Sequence, residues 1–79
     1  MTGIGLLWYD SSAQDLAVKI AAAAQRYRER FGGEPNVCYV HPSDLPTGEC
    51  ETNGIRVRTA TRVLRHHLWL SHESSEVTQ

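Results

Sequence analysis

The 79-residue chain lacks any long hydrophobic run, and its charges nearly cancel, with 8 basic and 9 acidic side chains. No apolar stretch approaches the roughly 18 residues of a membrane span, and the first residues lack the basic start of a signal peptide. We therefore expect a cytoplasmic protein without a membrane segment. A net charge of −1 also argues against a strongly basic nucleic-acid clamp.

Cysteine is scarce as well, since Cys38 and Cys50 are the only two. A cytoplasmic chain keeps its thiols reduced, so we expect no structural disulfide. A zinc site that combines them with His41 is disfavoured, because residues three apart on a strand point to opposite faces and we predict that Cys50 points inward. We predict no metal, no cofactor and no catalytic residue, and enzymatic activity is disfavoured without being excluded.

The order of local patterns predicts an α+β domain with an α/β-like start. Residues 4–9 form a short apolar run, typical of a strand covered on both faces. Residues 10–12 offer N-cap side chains to a helix of about nineteen residues, which Gly32 ends as a C-cap. Residues 36–41 predict a second strand, parallel and adjacent to the first through a right-handed crossover.

The Asn-Gly pair at 53–54 predicts a two-residue hairpin turn between residues 49–52 and residues 55–58. A two-residue turn fixes which residues face each other. The predicted pairs are Thr52 with Ile55, Glu51 with Arg56, Cys50 with Val57, and Glu49 with Arg58. One face of the hairpin therefore carries opposite charges and the other is apolar.

Residues 59–67 fit either a short helical turn or irregular chain, and residues 68–71 predict a last strand. The elements then follow the order β-α-β-β-β, in a mixed four- or five-stranded sheet with one long helix packed on one face. We expect residues 1–73 to form a single small domain. Residues 74–79 are polar and predict a mobile C-terminal tail.

A single helix covers only one side of such a sheet. Because Trp8, Tyr39 and Trp69 all lie on predicted strands, we expect part of the other face to be apolar and exposed. Our first hypothesis is therefore a non-enzymatic module that binds another protein or forms a homodimer through this face or a sheet edge.

Adjacent parallel strands would bring Asp10, Ser11 and Ser12 near His41 and Asp44. Ligands of open α/β sheets bind at this end, and the free N–H groups of a helix N-terminus suit a phosphate or carboxylate. An anion or nucleotide site formed by these five residues, with a catalytic role left open, is our second hypothesis. Against it, the chain has no glycine-rich phosphate loop, and Asp10 would repel an anion.

Residues 52–72 contain four arginines, three histidines and Trp69 but no acidic side chain. Basic groups beside an aromatic ring hold phosphates and stack a base. The predicted hairpin, however, pairs two of the arginines with glutamates, which leaves Arg62 and Arg65. Nucleic-acid binding through these two residues is the third and weakest hypothesis.

Residues 27–42, 54–57 and 63–70 together resemble small bacterial α/β proteins that have no assigned activity. The resemblance spans most of the predicted domain. It implies a short, single-domain cytoplasmic protein and transfers no functional residue to this chain.

Overall fold

The structure, a computed structural model, describes residues 5–45 and 48–73. It confirms an α+β fold with one helix on a mixed five-stranded sheet. The elements are β1 (Gly5–Tyr9), α1 (Leu16–Phe31), β2 (Val37–Val40), a 3-10 turn (Pro42–Asp44), β3 (Cys50–Thr52), β4 (Ile55–Thr59) and β5 (His67–Ser71). No helix in the described ranges is long and apolar enough to cross a membrane. The predicted tail, residues 74–79, lies outside the described residues.

The strand order is β1-β5-β2-β4-β3, so β1 and β2 are not neighbours. Each pairs antiparallel with β5, so the two run in the same direction, as predicted, but the prediction that they are adjacent is wrong. β5 takes the place between them because Leu68 and Leu70 bury almost completely there, at 3% and 0% exposure. The non-local pairing of β5 therefore decides the order of the sheet.

One face of the sheet packs against α1. The helix contributes Ile20, Ala23, Ala24 and Tyr27 to the core, all buried. The strands contribute Cys38, Val40, Ile55, Val57, Leu68 and Leu70, with Leu6 and Trp8 partly buried beside them. Trp8 thus faces the helix, contrary to our expectation, because strand side chains alternate and the neighbouring odd-numbered positions take the other side. We call that other side the open face.

The helix is shorter than predicted at its N-terminal end. It follows Asp15, whose side chain makes no capping hydrogen bond, rather than residues 10–12. The Asp10 carboxylate instead accepts the amide N–H of Ser12 at 2.8 Å, which is a local turn that competes with the helix. The C-terminal end is as predicted, since Gly32 adopts φ 80° and donates its N–H to the Arg28 carbonyl at 2.9 Å.

The hairpin of β3 and β4 has the predicted register. Cys50 faces Val57, Glu51 faces Arg56 and Thr52 faces Ile55, while Arg58 Nε lies 3.5 Å from a Glu49 carboxylate oxygen. Both turn residues adopt positive φ, as a two-residue turn of this type requires. Cys50, however, is exposed rather than buried. It lies on an edge strand, whereas α1 lies over the β1 and β5 side of the sheet.

The connection between β4 and β5 is irregular and contains two successive turns. Val63 donates its N–H to the Ala60 carbonyl, and His67 donates to the Leu64 carbonyl, both at 3.1 Å. Val63 is buried and anchors the loop, whereas Leu64 points outward with 68% of its surface exposed. The loop therefore presents an apolar side chain to solvent.

Candidate functional site

Three of the five predicted ligand-binding residues line one small cavity. Asp10, Ser12 and Asp44 share its wall with His66 and Lys19. Asp10 and Ser12 follow β1, whereas Asp44 lies in the 3-10 turn after β2. Because β1 and β2 are not adjacent, the predicted geometry is wrong, although the three residues still come together. β5 begins between these two strands, so His66, the residue before β5, is hydrogen-bonded to both Asp10 and Asp44.

The Asp10 side of the cavity is a compact turn. Lys19 donates from Nζ to the Asp10 carbonyl at 3.1 Å, and the Asp10 amide N–H donates to the His66 carbonyl at 3.0 Å. Hydrogen bonds from the hydroxyl and the amide of Ser12 hold the pKa of the Asp10 carboxyl below its ordinary value. Asp10 is therefore an anion at neutral pH.

The Asp44 side holds the loop before β5. The Asp44 carboxylate accepts the amide N–H of His66 at 2.6 Å and the Nε–H of Arg65 at 3.3 Å. Partial burial raises the pKa of Asp44, but these two hydrogen bonds outweigh it and leave the pKa below its ordinary value. These contacts stabilise the backbone of His66 at φ 67°, a conformation that costs energy for a residue with a Cβ.

The other two predicted residues, His41 and Ser11, lie apart from the cavity lining. His41 accepts the amide N–H of Ser43 on Nδ1 at 3.0 Å, which caps the 3-10 turn. Ser11 is exposed, and its side chain has no hydrogen bond within the described ranges. Neither is positioned to act on a molecule in the cavity.

The chemistry of the cavity does not favour an anion. Its volume is about 190 Å³, below the roughly 300–1,000 Å³ of ordinary small-molecule sites. Its two carboxylates, Asp10 and Asp44, are both ionised, and the Lys19 ammonium opposes only one negative charge. Within the described residues, no group of three His, Cys, Asp or Glu side chains is arranged to hold a metal.

The cysteines are free thiols in contrasting environments. Cys38 has no exposed surface, and burial raises the pKa of its thiol to about 12. A cysteine attacks as its thiolate, so the buried Cys38 thiol is poorly suited to act as a nucleophile at neutral pH. Cys50 is exposed on the edge strand β3.

The open face carries an exposed apolar surface. Leu7, Tyr9, Leu64 and Trp69 form what we call the apolar strip, on β1, β5 and the loop before β5. Leu7 lies opposite Trp69 in the sheet, and the first three of these side chains are 59%, 61% and 68% exposed. Leu7, Leu64 and Trp69 also line a shallow depression of about 250 Å³. Of the strip, only Trp69 was foreseen from the sequence.

The remainder of the open face is charged but nearly balanced. Arg58 pairs with Glu49, and the Tyr39 hydroxyl donates to a Glu73 carboxylate oxygen at 2.9 Å. Burial raises the pKa of Tyr39, and this hydrogen bond is the second cause of the increase. Of the two arginines proposed to bind nucleic acid, Arg65 pairs with Asp44. Arg62 has no ion pair among the described side chains, and neither has Arg56, although it faces Glu51 in the hairpin.

No protein-family model, curated protein or solved structure matches the chain. The resemblance to small bacterial α/β proteins therefore brings no family assignment.

Proposed function

We propose that this protein is a non-enzymatic binding module that docks a protein surface on the apolar strip. The observation that supports it is the exposure of three apolar side chains close together on the open face. Leu7 and Leu64 line one depression, and Tyr9 packs against His67, which lines the same depression. Exposed apolar groups that adjoin one another are typical of interaction sites, whereas isolated ones are ordinary. The cytoplasmic location expected from the sequence belongs to the same proposal.

The composition of the strip favours a protein rather than a polar ligand. Two aromatic rings and two leucines supply apolar area, while His67 and Arg62 border it and provide a polar rim. Tyr9 packs against His67, with ring centroids 4.9 Å apart, which keeps the tyrosine on the strip. Protein interfaces have this arrangement of an aromatic centre and a polar rim.

The alternatives have weaker support from the same structure. An anion or nucleotide at the Asp10 and Asp44 cavity meets two carboxylates in a small volume. Nucleic acid on the loop before β5 meets only Arg62 as an unpaired cation there, since Arg65 is bound to Asp44. Phosphate-backbone binding needs several such contacts to reach a useful affinity.

The proposal is tested with a matched pair of charge substitutions. Leu64→Glu places a carboxylate on the strip, and Val18→Glu places one on an exposed apolar residue of α1, which is 48% exposed. Association is followed by sedimentation velocity of the pure chain and by capture from the native host with the chain as bait. We expect Leu64→Glu to abolish binding and Val18→Glu to retain it. Binding that Leu64→Glu leaves intact, or none with the unmodified chain, would overturn the proposal.

A further inference from the structure

The outer edge of β1 presents unpaired backbone groups. The Asp10 N–H bonds to the His66 carbonyl at 3.0 Å, one position beyond the strand. In an antiparallel ladder, residues alternate between bonding to the neighbour and pointing away from it. The N–H and C=O groups of Gly5, Leu7 and Tyr9 therefore point away from β5. Within residues 5–45 and 48–73, no segment pairs with them, since β1 ends the sheet.

The two edges of the sheet differ in how well they resist pairing with a strand from another chain. The edge strand β3 is three residues long, includes Glu51 and follows Glu49. Short length and charge are the usual means by which an edge resists pairing. β1 is five residues long, regular and without charge or proline. Only the β1 edge is thus built to accept a strand, and one open edge limits edge pairing to two copies.

The β1 sequence is complementary to itself about Leu7. When two β1 strands run antiparallel with Leu7 facing Leu7, Gly5 of each copy faces Tyr9 of the other. This register pairs all five residues, whereas a shift by two leaves part of each strand unpaired. It also places Tyr9 opposite a position that has no side chain of its own, so the two facing residues do not clash.

A side chain at position 5 would be crowded. A Cβ there would meet the Trp69 ring and the Leu70 carbonyl oxygen, which is 2.7 Å away. Trp69 therefore lies across Gly5 on the open face. In the paired arrangement, the Tyr9 ring of the second copy comes beside Trp69, and the two apolar strips become one surface.

We infer that the partner is a second copy of this chain, joined by antiparallel pairing of the two β1 strands about Leu7. The inference rests on the proposed function and refines it: the second copy lies beside the apolar strip, along β1, and the two strips form one continuous apolar surface. The two-fold arrangement closes on itself, because each copy uses its single open edge.

Disulfide trapping tests the register. In a Cys50→Ser background, Leu7→Cys places a thiol opposite its own copy, where facing Cα atoms lie about 5.5 Å apart, within disulfide range. Leu64→Cys is the control, since it has similar exposure but lies off the edge. We expect mild oxidation to give a covalent dimer with Leu7→Cys and not with Leu64→Cys. No dimer with Leu7→Cys, or equal dimer with both, overturns the inference.

Leu7→Pro tests the backbone pairing separately. Proline removes an N–H that points outward and leaves the hydrogen bonds to β5 intact, which an edge strand tolerates. We expect a folded monomer by circular dichroism and sedimentation, while Leu7→Ala still dimerises. Association lost in Leu64→Glu but kept in Leu7→Pro overturns the β1 pairing and leaves the proposed function standing. A monomeric chain that captures a different protein through Leu64 also overturns the β1 pairing and leaves the proposed function standing. No association of any kind overturns both the β1 pairing and the proposed function.

Discussion

Asp44 holds the backbone of His66, 22 positions later in the chain, through a 2.6 Å hydrogen bond from the His66 N–H to the Asp44 carboxylate. The bond ties the 3-10 turn after β2 to the first residue before β5. It secures the loop at the point where β5 enters the sheet.

Asp44→Ala should lower the free energy of unfolding by about 1–3 kcal/mol, because it leaves the His66 N–H without its charged acceptor. Arg65→Ala removes the other partner of Asp44 but should cost only about 0–1 kcal/mol, since the arginine side chain is 58% exposed. Urea denaturation followed by tryptophan fluorescence measures both. Equal losses for the two variants would show that the ion pair, and not the backbone contact, matters.

Stability should fall in acid partly through Asp44. The folded pKa of this carboxyl is depressed, so its contribution is fully present above the unfolded pKa of about 3.9 and is lost as the pH falls through the folded value. Asp44→Asn should therefore be less stable than the wild type at neutral pH, and the difference should shrink in acid. Denaturation curves at several pH values below about 5 provide the measurement. A difference that does not change with pH would contradict the assignment.

His66→Gly should leave stability unchanged or raise it by up to about 1 kcal/mol, because glycine adopts positive φ without a Cβ penalty. His66→Val should lower it by about 1–2 kcal/mol, because a β-branched side chain fits this conformation poorly. The imidazole is exposed, so its loss alone removes little packing. Thermal unfolding of the pair tests the prediction, which fails if valine is as stable as glycine.

Gly5→Ala should destabilise the chain by about 1–3 kcal/mol, because the new Cβ meets the Trp69 ring and the Leu70 carbonyl. Gly33→Ala is the matched control, since a Cβ there has no neighbour within 4 Å and the residue has no positive φ. We expect it to be neutral within about 0.5 kcal/mol. Similar losses in both variants would exclude the close approach of Trp69 as the cause.

The two thiols should react very differently with an aromatic disulfide reagent. Cys50 is exposed and should be modified rapidly, while Cys38 is buried with its pKa raised to about 12 and should stay protected until the chain unfolds. A native titre of one thiol, rising to two in urea, is the expected result. Cys50→Ser should remove the native signal, and fast reaction of that variant would mean that the core opens readily.

Local chemistry explains which parts of the fold were predictable. The Asn-Gly turn sets the hairpin register within a few residues, and Gly32 ends the helix by its own conformation. The order of the strands depends instead on β5, whose pairing with β1 joins residues far apart in the chain. No local pattern records such a pairing, which is why β1 and β2 were wrongly placed side by side.

The candidate sites follow the same division. Asp10, Ser12 and Asp44 were found because polar groups follow strands, but His66 came between them only through the position of β5. The apolar strip depended on which way β1 faces. A nearly continuous apolar run carries no alternation, so the sequence did not show that Leu7 and Tyr9, rather than Trp8, take the open face.

The position of β5 also determines when this sheet is able to form during synthesis. Both strand neighbours of β5 are made earlier, and β1, the first described strand, has no other partner in the sheet. A nascent chain that has not yet produced residues 67–71 therefore holds β1 unpaired, with its apolar residues unprotected. Sheet closure is a late event that waits for the last described strand, and until then this protein is exposed to premature association with other nascent chains.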